Sequence, residues 1–313
     1  MTNAGEGKRV CVQQRALIRG GILQWLVVAL LAVLQATGNA AMGQSMPAGK
    51  VEAAPPLSVD PLVWVKAACE NELKALHNEG AYLRYRMHLI DDKGDQTRDV
   101  FESKDGSVAR LILRNGKPLT DEQDKGEQQR LNDMLASPSA YAKHVKSDAS
   151  GRKIADSLIK LMPNAMLYTY VPGQPQTGKN PGMVELVFDY EPNPKFSPPS
   201  TTAEALTGLK GRVWIDSKTK YVVRMEGTIF RSINFGWGML AHIYPGGKLV
   251  IEQTDSGGGR WIFTKFTEQL SVRALMVKTV NVNTNVEASE FKPVNEMSYQ
   301  DAIHVLLNTP LPK

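Results

Sequence analysis

Cysteine and histidine are scarce in this chain of 313 residues, which contains two cysteines and five histidines. The histidines are scattered, and no pair has the i, i+3 or i, i+4 spacing that would bring two imidazoles to one metal ion on a helix. We therefore expect no metal site. The two cysteines, Cys11 and Cys69, lie on opposite sides of the cleavage site predicted below, so we expect no disulfide within the processed chain.

The sequence also lacks the common catalytic motifs. It has no GxSxG elbow, no phosphate-binding loop and no GxGxxG. The serine in DSGGGRW lies between two predicted strands, which favours a hairpin tip. The paired carboxylates Asp91-Asp92 and Asp121-Glu122 stand at the ends of predicted elements, where acidic side chains serve as caps. We therefore expect neither an enzyme nor a cofactor.

One long apolar run occurs near the N-terminus, from Ile22 to Leu34, and it follows a positively charged leader. A membrane-spanning helix needs about 20 apolar residues, so this run is short for a span. Small residues follow it, with cleavage predicted after Ala40 or Gly43. The pattern predicts a signal peptide over residues 1–43 and hence a periplasmic or secreted protein, with an uncleaved N-terminal membrane anchor as the alternative.

The basic character of the chain comes largely from this leader. The first 43 residues hold four of the 37 Lys and Arg residues and one of the 32 Asp and Glu residues, so the net charge falls from +5 to +2 without them. No basic tract interleaved with aromatic residues remains, and we therefore expect no nucleic-acid partner. Residues 44–59, which include three prolines and three alanines, are predicted to be a linker.

Local patterns predict the first elements of the folded part. A helix is expected from Asp60, which can cap it, to Gly80, which ends it. Apolar residues then recur with period two, which predicts antiparallel strands with turns at Lys93-Gly94 and Asp105-Gly106.

The middle of the sequence has a helical pattern. Helices are predicted over about 120–147 and 152–161, with Pro138 and Gly151 as interruptions and Pro163 as the end.

Beyond residue 205 nearly every segment alternates with period two, and residues 298–308 are predicted to form a closing helix. Long antiparallel strands with one apolar face require the helices to cover that face. We therefore predict an α+β protein in which one curved antiparallel half-barrel sheet wraps around a few helices, in a single domain over residues 60–313.

The hairpin over residues 208–227 has the pattern G-x-V-W-I-D-x-x-T-x-x-V-x-R, carried by Gly211, Val213, Trp214, Ile215, Asp216, Thr219, Val222 and Arg224. This pattern resembles a hairpin of bacterial envelope proteins of the outer-membrane lipoprotein carrier type, called LolA-like. The resemblance covers about residues 60–292. It implies an open half-barrel closed by helices, with an apolar concavity that accepts acyl chains.

Aromatic and methionine side chains are frequent in the last third of the chain, and such side chains can line a cavity for an apolar ligand. The alternative is that they fill the core between sheet and helices. The predicted ligand-lining residues are Trp237, Trp261, Phe263, Phe235 and Met239. On the apolar stripe of the first helix, Cys69 is predicted to be a buried, unreactive thiol.

These expectations lead to one main hypothesis for function. The protein is expected to be a periplasmic, non-enzymatic carrier or binding protein for an acyl chain, a lipoprotein or another apolar ligand. The alternative is an envelope sensor or interaction module that contacts other proteins through the sheet edge. An inner- or outer-membrane protein is a possible partner in either case.

Overall fold

A computed structural model describes residues 58–77, 82–178, 182–236, 238–257, 260–274 and 277–312. The predicted signal peptide, nearly all of the predicted linker and Trp237 lie outside these residues. Among the described residues, no helix combines the length and the apolar character that a membrane span needs.

The structure has four α-helices and one short 3₁₀ helix in its described part. They are α1 (Pro61–His77), α2 (Asp121–Ala136), α3 (Pro138–Ala165), α4 (Tyr299–Asn308) and the 3₁₀ helix Thr202–Thr207. Thr120 begins α2 with a capping box, since its hydroxyl accepts from the backbone N–H of Gln123 and the Gln123 side chain accepts from the backbone N–H of Thr120. Ser298 caps α4 in a similar position.

The helix boundaries confirm one predicted interruption and correct two others. Pro138 separates α2 from α3 and occupies the first turn of α3, where a proline costs no hydrogen bond. Gly151, however, does not break α3, and Pro163 lies inside its last turn. A single helical glycine costs about 1 kcal/mol, which packing on both sides of it can outweigh. Because Pro163 lies only two residues before the end of α3, few helical residues follow it.

The described strands are fourteen in number. In chain order they are β1 (Tyr82–Asp91), β2 (Gly94–Ser103), β3 (Gly106–Arg114), β4 (Lys117–Pro118), β5 (Met166–Tyr170), β6 (Gln176–Thr177), β7 (Val184–Pro192), β8 (Leu209–Asp216), β9 (Val222–Ile229), β10 (Ile233–Phe235), β11 (Ala241–Ile243), β12 (Lys248–Asp255), β13 (Trp261–Ala274) and β14 (Lys278–Val294).

These strands form one antiparallel sheet with an open path. The order is β4-β3-β2-β1-β14-β13-β12-β9-β8-β7-β5, with β6 attached to β7 and the pair β10–β11 attached to β13. The first meander, β1–β4, joins the later strands where β1 pairs with β14. The predicted α+β architecture with an antiparallel sheet is therefore confirmed, and β14 is the link between its two halves.

Apolar side chains form three clusters around this sheet. The main cluster joins α1 and α3 to β5, β7–β9 and β13. The second cluster lies among β1, β2, β13 and β14. The third joins α2, α4 and the start of α3 to β2 and β3.

The helices do not all cover the same face of the sheet. The neighbouring residues Val100 and Phe101 of β2 point to opposite faces, and they belong to the second and third clusters respectively. The face that contacts α1 is called the inner face below. The expectation that helices cover one face only is therefore incomplete, because α2 and α4 pack on the other face of β2 and β3.

Candidate functional site

A cavity of about 190 Å³ lies between α1, α3 and the inner face of the sheet. Protein interiors have few voids larger than a water molecule, and one water needs about 10–15 Å³. This cavity is therefore far larger than a packing defect. Its lining is almost entirely apolar, with side chains that include Val65, Ala68, Ala155, Leu158, Ile159, Met162, Val213, Ile215, Val222, Met225, Ile229, Leu249, Ile251 and Leu270.

The β8–β9 hairpin supplies one wall of the cavity. Val213 and Ile215 of β8 both face it, as the period-two pattern predicts. On β9 the pairing shifts by one residue opposite Trp214 and Ile215, so that Val222 pairs with Ile215 and Val223 is the extra residue. Because of this bulge, Val222 borders the cavity rather than Val223.

The polar members of the hairpin pattern have structural roles. The Asp216 carboxylate accepts hydrogen bonds from the backbone N–H and the hydroxyl of Thr219, at 2.6 and 2.7 Å, and so fixes the turn. On the face away from the cavity, the Trp214 ring has a guanidinium group over it from Arg212 and another from Arg224. These polar and aromatic groups of the pattern therefore stabilise the hairpin.

Gly211 is required by a close approach of two strands. It pairs with Gly227 across the hairpin, and a Cβ atom at Gly211 would overlap the carbonyl group of Glu226. The same space admits the hydroxyl of Tyr190, which donates a hydrogen bond of 2.8 Å to that carbonyl oxygen. The glycine pair therefore lets the Tyr190 side chain of β7 bond to the backbone of β9 at the edge of the cavity.

Two polar side chains at one end of the cavity satisfy each other. The buried Glu72 carboxylate on α1 accepts hydrogen bonds from the Gln253 amide, at 3.0 Å, and from the backbone N–H of Val222, at 3.1 Å. Burial nevertheless raises the pKa of Glu72 to about 7 from its ordinary value of 4.5, since two neutral donors do not replace water. These bonds tie α1 to β9 and β12.

Glu268 on β13 borders the same cavity with no such partner. Its side chain is completely buried, and neither carboxylate oxygen has a hydrogen-bond partner among the described residues. Burial raises the pKa of Glu268 to about 7 from 4.5. An uncompensated buried charge costs on the order of several kcal/mol, so this carboxyl group is the least expected feature of the cavity.

Cys69 of α1 also faces the cavity, and it is half-buried rather than fully buried as the sequence predicts. Burial, followed by the charges of Glu72 and Glu70, raises the pKa of the Cys69 thiol to about 12 from 9.0. At neutral pH the group is therefore a thiol rather than a nucleophilic thiolate, in agreement with an unreactive side chain.

The structure places the predicted ligand-lining residues in three different settings. Trp261 and Phe263 are buried and border a smaller cavity of about 20 Å³, beside the ion pair Glu102–Arg260. Phe235 is buried in the main cluster, and Met239 is exposed. None of these four is among the described residues that line the larger cavity.

Trp237, the fifth predicted lining residue, lies outside the described residues. The assignment of the five residues to a ligand stays a prediction.

No protein family, curated protein or solved structure matches this chain. Among the described residues, no group of three or more His, Cys, Asp and Glu side chains is arranged to hold a metal ion.

The sequence contains a signal for Glu268 that is not a catalytic or metal-binding motif. Phe266, Leu270 and Val272 lie on the same face of β13 as Glu268, since they are separated from it by even numbers of residues. An acidic residue in the middle of such an apolar series marks either a break in the pattern or a functional group. No comparable local pattern in the sequence indicates that side chains of α1 and α3 line a cavity.

Proposed function

We propose that this protein is a non-enzymatic carrier or binding protein that holds an acyl chain, or another apolar group, in the cavity between α1, α3 and the sheet. The observation that carries the proposal is the size of this cavity together with its apolar lining. A close-packed core would leave no such space. An apolar ligand would gain the burial of its own surface and contacts with the lining side chains.

The placement of the lining residues supports a half-barrel of the LolA-like kind. Residues as far apart in the sheet as Val213 of β8 and Leu270 of β13 border the same cavity as Val65 of α1. A sheet that curves around α1 and α3 brings such strands to one space. Together with the predicted signal peptide, this arrangement supports the proposal of a periplasmic protein that shelters lipid from water, with a lipoprotein or a membrane protein as its proposed partner.

A cavity-filling substitution tests the proposal. Ala155 of α3 is buried and borders the cavity, whereas Ala149 is exposed on the same helix. We expect the wild-type chain to bind the neutral fluorescent probe N-phenyl-1-naphthylamine, and Ala155→Phe to weaken binding by at least about tenfold because the new ring occupies the site. Ala149→Phe is the matched control and should bind the probe like the wild type.

The far-UV circular dichroism spectrum and the melting temperature of each variant establish that it is folded. Two results together would contradict the proposal: no uptake of the probe by the wild-type chain, and unfolding of Ala155→Phe. They would mean that the space belongs to a packed core that cannot accept a larger side chain. The carrier hypothesis would then give way to the envelope sensor or interaction module.

A further inference from the structure

The described lining of the cavity contains acidic groups but no basic one. Glu268 and Glu72 both border it, and none of the described residues that line it is Lys, Arg or His. Their situations differ, because Glu72 accepts two hydrogen bonds whereas neither oxygen of Glu268 has a hydrogen-bond partner within the part of the chain that the structure describes. The Glu268 carboxylate would therefore be stabilised by a hydrogen-bond donor in this apolar space, and most strongly by one that carries a positive charge.

The neighbouring strands do not supply a hydrogen-bond donor to Glu268. The cross-strand neighbours of Glu268 are Leu249 on β12 and Thr284 on β14. The Leu249 side chain has no hydrogen-bond donor, and the hydroxyl of the buried Thr284 makes no hydrogen bond to the carboxylate. A leucine at position 268 would continue the apolar series of β13 and would fill the core without a polar group. Packing of the fold alone therefore does not explain a carboxyl group at position 268.

We propose that the ligand of this cavity is an amphiphile whose apolar chain carries a primary ammonium group, and that Glu268 is the ion-pair partner of this group. The inference rests on the proposed function and adds the class of head group to it. An ammonium group supplies both the charge and the N–H donors that Glu268 lacks. A fatty-acid carboxylate would instead place a third negative charge beside Glu268 and Glu72.

The raised pKa of Glu268 is in accord with this role. Burial without a partner disfavours the charged form of the carboxyl group. A cation bound next to it would reverse that effect and favour the carboxylate, so ligand and side chain would stabilise each other's charges. Tyr168 and Tyr190 also border the cavity, and burial raises the pKa of each hydroxyl further above its ordinary value of 10.0, so neither adds a charge near pH 7.

The test compares three ligands with the same chain and different head groups. Dodecylamine, 1-dodecanol and dodecanoate are titrated at pH 8 into the full chain loaded with N-phenyl-1-naphthylamine, below the micelle concentrations of the two ionic ligands and below the solubility limit of 1-dodecanol. We expect dodecylamine to displace the probe at least about tenfold more effectively than 1-dodecanol, and dodecanoate to be the weakest, because only the amine pairs with the carboxylate.

Substitution of Glu268 gives the second arm of the test. Glu268→Gln keeps the shape of the side chain and removes its charge, and we expect it to lose the preference for dodecylamine while the affinity for 1-dodecanol stays within about twofold. Glu268→Leu should behave in the same way. Glu287→Gln is the matched control, since Glu287 lies half-exposed in a surface ion pair with Lys265, and it should retain the preference.

The outcomes separate this inference from the proposal on which it rests. Displacement by 1-dodecanol or dodecanoate at concentrations equal to or lower than those of dodecylamine would overturn the ammonium inference and leave the apolar site standing. Retention of the amine preference in both Glu268 variants would overturn the role of this residue. Failure of the wild-type chain to bind the probe or any of the three ligands would overturn both proposals.

Discussion

Two carboxylic acids border the apolar cavity, and burial changes the pH at which each releases its proton. The pKa values of Glu268 and Glu72 are raised to about 7, against an ordinary value of 4.5 that holds in the unfolded chain. The folded protein therefore binds more protons than the unfolded chain between these two pH values. The contribution of these two groups to stability is therefore greatest when both are protonated, and it falls as the pH rises from about 4.5 to about 7.

The residue-scale prediction follows from this difference. The free energy of unfolding of the wild-type chain should decrease between pH 5 and pH 7.5, by about 1 kcal/mol per pH unit for each carboxyl group at the steepest point. Glu268→Gln removes one of these groups, so we expect a shallower dependence and a more stable protein at pH 7.5. Urea denaturation at a series of pH values measures both effects.

Glu287→Gln serves as the control, because this half-exposed side chain does not border the cavity. Identical pH profiles for the wild type and Glu268→Gln would contradict a buried, uncompensated carboxyl group at position 268.

At the scale of elements, the β8–β9 hairpin depends on glycine where strands approach each other closely. Gly211 faces Gly227, and the Tyr190 hydroxyl would lie 2.9 Å from a Cβ atom at Gly211. The obstruction at Gly211 includes the Glu226 backbone, which cannot move without breaking the pairing of β9. Gly126 on α2, in contrast, has nothing within 4 Å of such an atom.

These two glycines give a matched prediction. Gly211→Ala should destabilise the protein strongly, by about 3 kcal/mol or more, because the hairpin and the Tyr190 hydrogen bond must both shift. Gly126→Ala should stabilise it by up to about 1 kcal/mol, since alanine is the better helix former at an open position. Thermal denaturation of both variants measures the difference, and a mild effect of Gly211→Ala would mean that β8 and β9 are not packed as closely as described.

For the molecule as a whole, Arg110 on β3 joins segments that are far apart in the chain. Its buried guanidinium donates to the backbone carbonyl oxygens of Leu306, Leu307 and Thr309 at the end of α4, and it forms an ion pair of 2.9 Å with Asp124 on α2. Helix C-termini leave carbonyl groups unsatisfied, and a cation there also interacts favourably with the helix dipole. One side chain thus holds α2, α4 and the sheet together in the third cluster.

We therefore predict that Arg110→Met lowers the free energy of unfolding by about 3–5 kcal/mol, as expected when one partner of a buried charged network is removed. Arg86→Met is the control, because Arg86 pairs with Glu290 near the surface, with 43% of its side chain exposed, and should lose no more than about 1 kcal/mol. Chemical denaturation measures both values. Similar losses in the two variants would contradict the role of Arg110 in joining the helices to the sheet.

Local pattern was sufficient to predict many elements of this protein. The alternation around Leu83 and Tyr85 identified β1, the closing helix α4 lies within one residue of its prediction, and Pro138 separates two helices. These features follow from side-chain period and from the missing N–H of proline, which act over a few residues. For the same reason the sequence indicated that Cys69 lies on the covered face of α1.

Only the tertiary structure decided where the space lies and which side chains border it. Aromatic residues such as Trp261 and Phe263 were predicted as lining by size and composition, but the larger cavity is bordered by smaller side chains from α1, α3 and distant strands. The inward position of Glu268 follows from the period of β13, whereas its lack of a partner depends on what the neighbouring strands and helices place beside it. A cavity is a property of the distances between elements, and those distances are set by long-range packing that no local pattern records.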